Sequence, residues 1–152
     1  MRIAPADLGD AEVQELIAFH QHAMIDGSSP GHSFALDLSG LQHPDVTVWA
    51  VHVDDRVAAI GALKRLDAAR GEVKSMRTHP DYLRRGLAAA LLDIIIAEAR
   101  AEGLQVLSLE TGSGPLFEPA LALYRRRGFV DGAAFSDYTL SEFNQCLHLP
   151  LD

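Results

Sequence analysis

The sequence predicts a mixed α/β (α+β) domain with a mostly antiparallel central sheet of about six to seven strands, flanked by four helices. Three observations carry this reading. Two alternating, β-branched runs (residues 46–53 and 56–67) are separated only by Asp54-Asp55, a link that permits nothing but a hairpin. A third alternating run at 72–78 leads through the apolar-periodic stretch 83–102 to another at 105–111, which reads as a strand–helix–strand crossover. Helices do not alternate with strands along the rest of the chain, so a doubly wound parallel sheet is excluded.

Taken in order, residues 1–4 form a short first strand. Residues 10–24 form a helix, with Asp10 as its cap and Val13, Leu16, Ile17 and His20 on one stripe. The breaker-rich stretch GSSPGH at 27–32 is a loop, and residues 33–41 form a second short helix. Pro80 stops the strand 72–78, because it brings no backbone donor to a ladder. Gly103 ends the long helix and Gly128 closes the next one, predicted over 115–127. Residues 129–130 and 143–149 supply the last strands. The predicted order is β-α-α-β-β-β-α-β-α-β-β.

The chain has 152 residues, 48% hydrophobic and 22% charged, enough for a single domain over 1–152 with its own core. Its one cysteine, Cys146, allows no internal disulfide and no Cys-rich metal site, which fits a reducing compartment. Cys146 lies in an apolar strand and reads as core, not as a nucleophile. The start MRIAPADLGD lacks the apolar stretch of a signal peptide, and the run 87–97 is broken by Asp93 and too short to span a bilayer. A cytoplasmic protein without membrane contact is expected. A formal net charge of −8 disfavours nucleic acid and weakly favours cationic small molecules. The histidines are scattered; His20 and His22, two apart on a helix, face different ways, so no metal site is expected.

The basic residues are not scattered. Arg84 and Arg85 form one cluster, and Arg125, Arg126 and Arg127 form another. The triplet suits either a solvated helix end, where cations complement the dipole, or a polyanionic ligand. Arg84-Arg85-Gly86-Leu87-Ala88 opens a long helix just after a strand. Unpaired N–H groups in a first helical turn attract anions, and Gly86 and Ala88 leave room for a diphosphate against the backbone. A capped helix with solvated arginines would have the same local sequence.

The arrangement resembles motif A of the GNAT (Gcn5-related N-acetyltransferase) superfamily: strand, x-x-Pro, loop, then Arg/Gln-x-x-Gly-x-Gly/Ala. Leu83 to Ala88 fill those six places, with Leu83 departing from the usual Arg or Gln. Ala120-x-x-Leu123-Tyr124-x-x-x-Gly128-Phe129 is similar to motif B, with Phe117 in place of its leading Asn. The segments EVKSMRT, LSLETGS and FEPA, with Phe135 and Tyr138, resemble a bacterial subgroup of small-molecule type. Some of its members are described as acting on indole-acetate-related compounds.

The resemblance implies the GNAT fold, with a parallel strand pair that splays at the acyl-CoA site. It implies acetyl-CoA as co-substrate, no metal, and a pairing of subunits that is often dimeric. Main-chain groups of Met76 and Thr78 would hold the pantetheine, with the Met76 N–H aimed at the thioester oxygen. The implied cofactor site comprises Met76, Arg77, Thr78, Arg84, Arg85, Gly86, Leu87, Ala88, Ala89 and Arg127.

Acyl transfer to an amine needs a base for the amine, polarisation of the carbonyl and an acid for the leaving thiolate. Tyr124 takes the acid role by resemblance; on its own it reads equally as a core tyrosine. Glu72 stands where histone-acetylating relatives carry their glutamate base, with Glu110 or water as alternatives. Strict alternation would put Glu72 on one face with Lys74, Met76 and Thr78. The acceptor pocket is expected from His20, His32, Ser33, Glu110, Ser113, Phe135 and Tyr138. With no activated nucleophile evident, direct transfer of acetyl from acetyl-CoA to a primary amine of a small molecule is the leading function. The alternatives are acetylation of protein lysines or N-termini, and a non-catalytic acyl-CoA sensor.

Overall fold

A computed structural model of the protein describes residues 1–27 and 38–151. Among these, seven strands form one sheet in the order β1-β2-β3-β4-β5-β7-β6. The strands are β1 (Arg2–Pro5), β2 (Val46–Val53), β3 (Arg56–Arg65), β4 (Arg70–Thr78), β5 (Val106–Gly112), β6 (Val130–Gly132) and β7 (Asn144–Pro150). Every neighbouring pair is antiparallel except β4 and β5. The β2–β3 hairpin turns on Asp54 and Asp55, both left-handed (φ 51° and 63°). A two-residue turn of that hand matches the twist of the flanking strands, and aspartate tolerates it.

Helices cover both faces. α3 (Leu87–Ala101) buries Leu91, Leu92, Ile95 and Ala99 against Leu63, Val73, Leu107 and Leu109, and α4 (Glu118–Arg126) adds Leu121 and Tyr124 to that core. α1 (Ala11–Gly27) and α2 (Leu38–Leu41) cover the opposite face, packing Val13, Leu16, Ile17 and Leu41 on Val48, Ala50, Ile60 and Ala62. Each such aliphatic side chain contributes roughly 1.5–3 kcal/mol relative to exposure. The cap of α1 is Asp10, whose Oδ1 accepts the Glu12 N–H at 2.8 Å. Left-handed Gly103 (φ 79°) ends α3.

Three expectations needed revision. The helix predicted from residue 83 begins at Leu87. Residues Pro80–Tyr82 make a 3-10 turn, and Arg84 and Gly86 are left-handed (φ 63° and 78°), a conformation no α-helix contains. The helix predicted from residue 115 likewise starts with a 3-10 turn, Pro115–Phe117, before α4. Of the second short helix, the described part is α2, and residues 33–37 lie outside the described set.

The third revision matters most for the site. Across β3 and β4, Ile60 pairs with Arg77 and Ala62 with Lys74, so Ser75 and Met76 together oppose Gly61. This is a β-bulge, with Ser75 left-handed at φ 58°. It inverts the alternation. Glu72 and Lys74 stay on the α1 face, opposite Lys64 and Ala62, but Met76 packs into the α3 core. Thr78 opposes Ala59, a residue of that same core, while Arg77 takes the α1 face opposite Ile60. Glu72 therefore does not share a face with Met76 and Thr78. Gly61 accommodates the turned methionine: a Cβ there would lie 2.5 Å from Met76 Sδ.

Candidate active site

The parallel pairing of β4 with β5 lasts only from Arg70↔Val106 to Glu72↔Ser108. Beyond it the bulge turns β4 away and a cavity of about 420 Å³ opens between the strands. Lys74 to Arg77 line one side and Leu109 to Thr111 the other. Tyr124, Phe117 and Ala120 border it from the α4 side, and His20 and Ala23 from α1. Glu72 and Tyr138 complete the wall.

Glu72 is only 2% exposed, yet its carboxylate is supplied with donors. The Tyr138 hydroxyl donates to Glu72 Oε2 at 2.5 Å, and Lys74 Nζ lies 3.3 Å from the same oxygen and 2.6 Å from the Tyr138 oxygen. Burial and then the Glu72 charge push the Tyr138 phenol well above its usual range, so it serves as a proton-bearing donor. Half-buried Glu110, on β5, accepts from Asn144 Nδ2 at 3.1 Å. Asn144 also holds the Thr139 carbonyl and the Ser141 N–H, which ties the segment after β6 to the sheet.

A second clip fixes that segment. His148 lies between Ser108 Oγ (2.7 Å) and the Ala133 carbonyl (2.8 Å). A carbonyl only accepts, so Nε2 carries the proton and Ser108 donates to Nδ1. Phe135 packs edge-on against both His148 and Tyr138, at 5.7 and 5.0 Å between ring centroids. These contacts carry Tyr138 to Glu72 across 66 positions of sequence. Cys146 sits beneath, buried, with its thiol pushed up by burial and by Glu110, so it stays protonated.

On the opposite wall Tyr124 is 7% exposed, its ring edge-on to Phe129 at 5.8 Å. Burial pushes its phenol up to about 12, against the opposing effect of the Arg77 charge. It therefore holds its proton throughout the neutral range. Arg77 reaches towards α1, where its Nε donates to His20 Nδ1 at 2.9 Å and its guanidinium faces the Phe19 ring at 5.8 Å. Burial, with Arg77 and Lys74 nearby, pushes His20 down to about 3, so it is a neutral acceptor.

The corner expected to bind the diphosphate lies past the far end of β4. Gly86 precedes α3 without a side-chain cap, and the first helical bond runs from Ala90 N to Gly86 O at 3.1 Å. The N–H groups of Leu87, Ala88 and Ala89 thus have no partner within the helix. A Cβ on Gly86 would meet nothing within 4 Å, so the approach to these donors is open. Arg84 and Arg85 are exposed beside it, and the Arg85 guanidinium lies 5.3 Å from the Tyr82 ring centroid. Leu83, 57% exposed, offers no polar group.

Residues 13–129 match the family model described as "Acetyltransferase (GNAT) family". The chain belongs to the GNAT acetyltransferase family. Among relatives of this acetyltransferase, the N-acetyltransferase YedL of Escherichia coli (strain K12), named as uncharacterised, is 45% identical over 95% of the chain and 91% of its own length. YsnE of Bacillus subtilis (strain 168), named likewise, is 44% identical over 91% of each. A provisionally assigned acyl-CoA N-acyltransferase from Klebsiella pneumoniae superposes with a TM-score of 0.80 at 27% identity, covering 99% of this chain and 97% of that one. A GNAT family acetyltransferase from Elizabethkingia anophelis, solved with acetyl-CoA bound, shares the fold at 15% identity and a TM-score of 0.72, covering 99% and 97%.

Of the residues expected in this acetyltransferase's site, Glu72, Glu110, Met76, Arg77, Tyr124 and Tyr138 line one cavity. Phe135 stands behind Tyr138. Ser113 follows the end of β5, with Gln145 Nε2 at 3.5 Å from its Oγ, and is not part of the lining. Arg127 forms a two-pronged ion pair with Asp93 of α3 (2.7 and 3.2 Å). His32 and Ser33 lie outside the described residues. Sequence reasoning placed Lys74 on the face of Glu72 but did not single out Ser75 and Asn144. Lys74 adjoins the Glu72 strand motif, but nothing local says that it meets Tyr138. No described helix is long and apolar enough to cross a membrane.

Proposed function

We propose that this GNAT N-acetyltransferase transfers an acetyl group directly from acetyl-CoA to the primary amine of a small molecule, within the cavity between β4 and β5. The observation that carries the reading is the early end of β4–β5 pairing, which leaves the edge of β4 unpaired beside a cavity bounded by Glu72 and Tyr124. In this proposal main-chain groups of Met76 and Thr78 take the place of the missing strand partner and hold the pantetheine. The Met76 N–H polarises the thioester carbonyl. The open N–H groups of Leu87 to Ala89, with Arg84 and Arg85 beside them, take the diphosphate.

The chemistry then divides across the cavity. The amine nitrogen bonds to the carbonyl carbon as the carbon–sulfur bond breaks. Glu72 accepts the amine proton, either directly or through the Tyr138 hydroxyl that already donates to it, and Tyr124 gives its proton to the departing thiolate. Glu110 is the alternative base. Two carboxylates and two phenols in one cavity supply a base and an acid without any covalent intermediate on the protein.

Thiol release from acetyl-CoA, followed across a panel of amines and peptides, tests the function. Turnover of small amines but not peptides is expected; tight acetyl-CoA binding with no transfer to any acceptor would point to a sensor instead. Glu72→Gln tests the base: kcat/KM is expected to fall about 10²-fold or more and the acidic limb of its pH profile to disappear. An unaltered limb would move the role to Glu110 or water.

A further inference from the structure

The Arg77 side chain has a setting that the proposed acetyl-CoA site does not explain. It is a half-buried cation in the cavity wall, and among the described residues it forms no ion pair. Its described contacts are a neutral imidazole, which accepts from Nε, and the face of Phe19. Lys74, the other cation of the wall, already lies against the Glu72 carboxylate. A half-buried arginine without a counter-ion is partly desolvated, and an anion that arrives to meet it offsets that cost. Its Nε is occupied by His20, whereas the two terminal nitrogens of the fork make no described hydrogen bond. Those two nitrogens match the geometry of a carboxylate.

Resting on the acetyl-transfer reading above, we propose that the acceptor is an amine that also carries a carboxylate, of amino-acid type, and that Arg77 binds this carboxylate. His20 and Phe19 orient the guanidinium without neutralising it, so its charge is left for the ligand. The Glu72 and Glu110 carboxylates line the same cavity from β4 and β5, which suits the amine end of such a molecule. Arg77 also lies close enough to Tyr124 for its charge to affect that phenol. A carboxylate held at Arg77 therefore keeps the amine of the same molecule near the reacting thioester. His20 acts as a positioning residue: protonated, it could no longer accept from Arg77.

The test pairs amino acids with the amines that differ from them only by loss of the carboxylate, such as phenylalanine with phenethylamine and tyrosine with tyramine. The intact enzyme should favour the α-carboxylate partner by about 10- to 100-fold in kcat/KM, as a charged hydrogen bond of ~1.5–3 kcal/mol implies. Arg77→Gln should abolish that preference by raising KM for the amino acid while leaving KM for acetyl-CoA unchanged, and Arg77→Lys should restore part of it. Retained binding of acetyl-CoA by calorimetry shows that each variant is folded. Equal use of both partners by the intact enzyme overturns the inference and leaves amine acetylation standing. A preference that survives Arg77→Gln, or a loss confined to KM for acetyl-CoA, overturns it too. Acetylation of neither set overturns it together with the small-amine reading.

Discussion

At the scale of single residues, the site is organised by what burial does to proton affinity. Burial holds the Tyr124 phenol near 12, so it keeps its proton in the neutral range, as its proposed acid role requires. A thiolate whose conjugate acid lies near 8–9 is a weaker base than this phenolate, so the transfer needs a site that favours the phenolate as it forms. The Arg77 charge acts in that direction. Tyr124→Phe removes the proton but keeps the ring against Phe129, and kcat is expected to fall about 10²-fold or more in the thiol-release assay. Unchanged turnover would remove Tyr124 from the mechanism. His20 shows the opposite shift. Its pKa is lowered to about 3, so the stability it contributes is complete above its unfolded value near 6.5 and is lost as the pH falls from there towards 3. Proton NMR should find no titration of the His20 ring between pH 8 and pH 5. A His20 midpoint near 6.5 would contradict the neutral contact to Arg77.

At the scale of elements, two local departures from regular structure make the site. The loop before α3 bends at Arg84 and Gly86, so that the first turn of the helix faces outward with its donors uncovered. Gly86→Glu places a negative, branched-out side chain where the diphosphate is proposed to lie and strains a left-handed position. Acetyl-CoA affinity by calorimetry is expected to drop at least about 10-fold, since a like charge at such a site costs more than ~1.4 kcal/mol. Wild-type affinity would mean the diphosphate lies elsewhere. The bulge at Ser75 is the other departure. Ser75 Oγ is buried without a hydrogen-bond partner and its backbone is left-handed, a strain of about 1–3 kcal/mol that the surrounding sheet holds in place. Without the bulge, β4 would continue its alternation, and Arg77 would point towards α3 instead of His20.

At the scale of the molecule, the sheet is split by the opening between β4 and β5. Half of it, β1 to β4, is clamped by α1 and α3, and β5 to β7 is joined to that half through three parallel pairs. A ligand that fills the opening binds the folded state and not the unfolded chain. At a concentration 100 times its Kd, acetyl-CoA should therefore add about 2.7 kcal/mol to the unfolding free energy. For a chain of this size that raises Tm by several degrees, about 5–10 °C, readable by scanning calorimetry. A Tm insensitive to acetyl-CoA would contradict binding in the opening. The overall charge of −8 is a poor guide to the acceptor. It suggests cations, whereas the proposed carboxylate contact depends on Arg77, a half-buried charge that at a few ångströms outweighs exposed carboxylates screened by water.

The sequence by itself determined the order of strands and helices and the hairpin at Asp54-Asp55, and its motifs nominated the corner at Arg84 to Ala88 and Tyr124 for the proposed site. Each depends on short-range rules: side-chain period, turn residues, helix ends and motif spacing. Helix starts were placed too early at residues 83 and 115 because an apolar period continues through turns that proline and left-handed residues interrupt. Tertiary structure alone decided which side chains meet. The bulge opposite Gly61 turned Met76 and Thr78 to the α3 face, and the sheet register brought Tyr138 to Glu72 and Arg77 to His20. Such meetings follow from how strands pair across the sheet. A one-residue shift in that pairing reverses every side chain after it, and no local pattern in β4 records the shift.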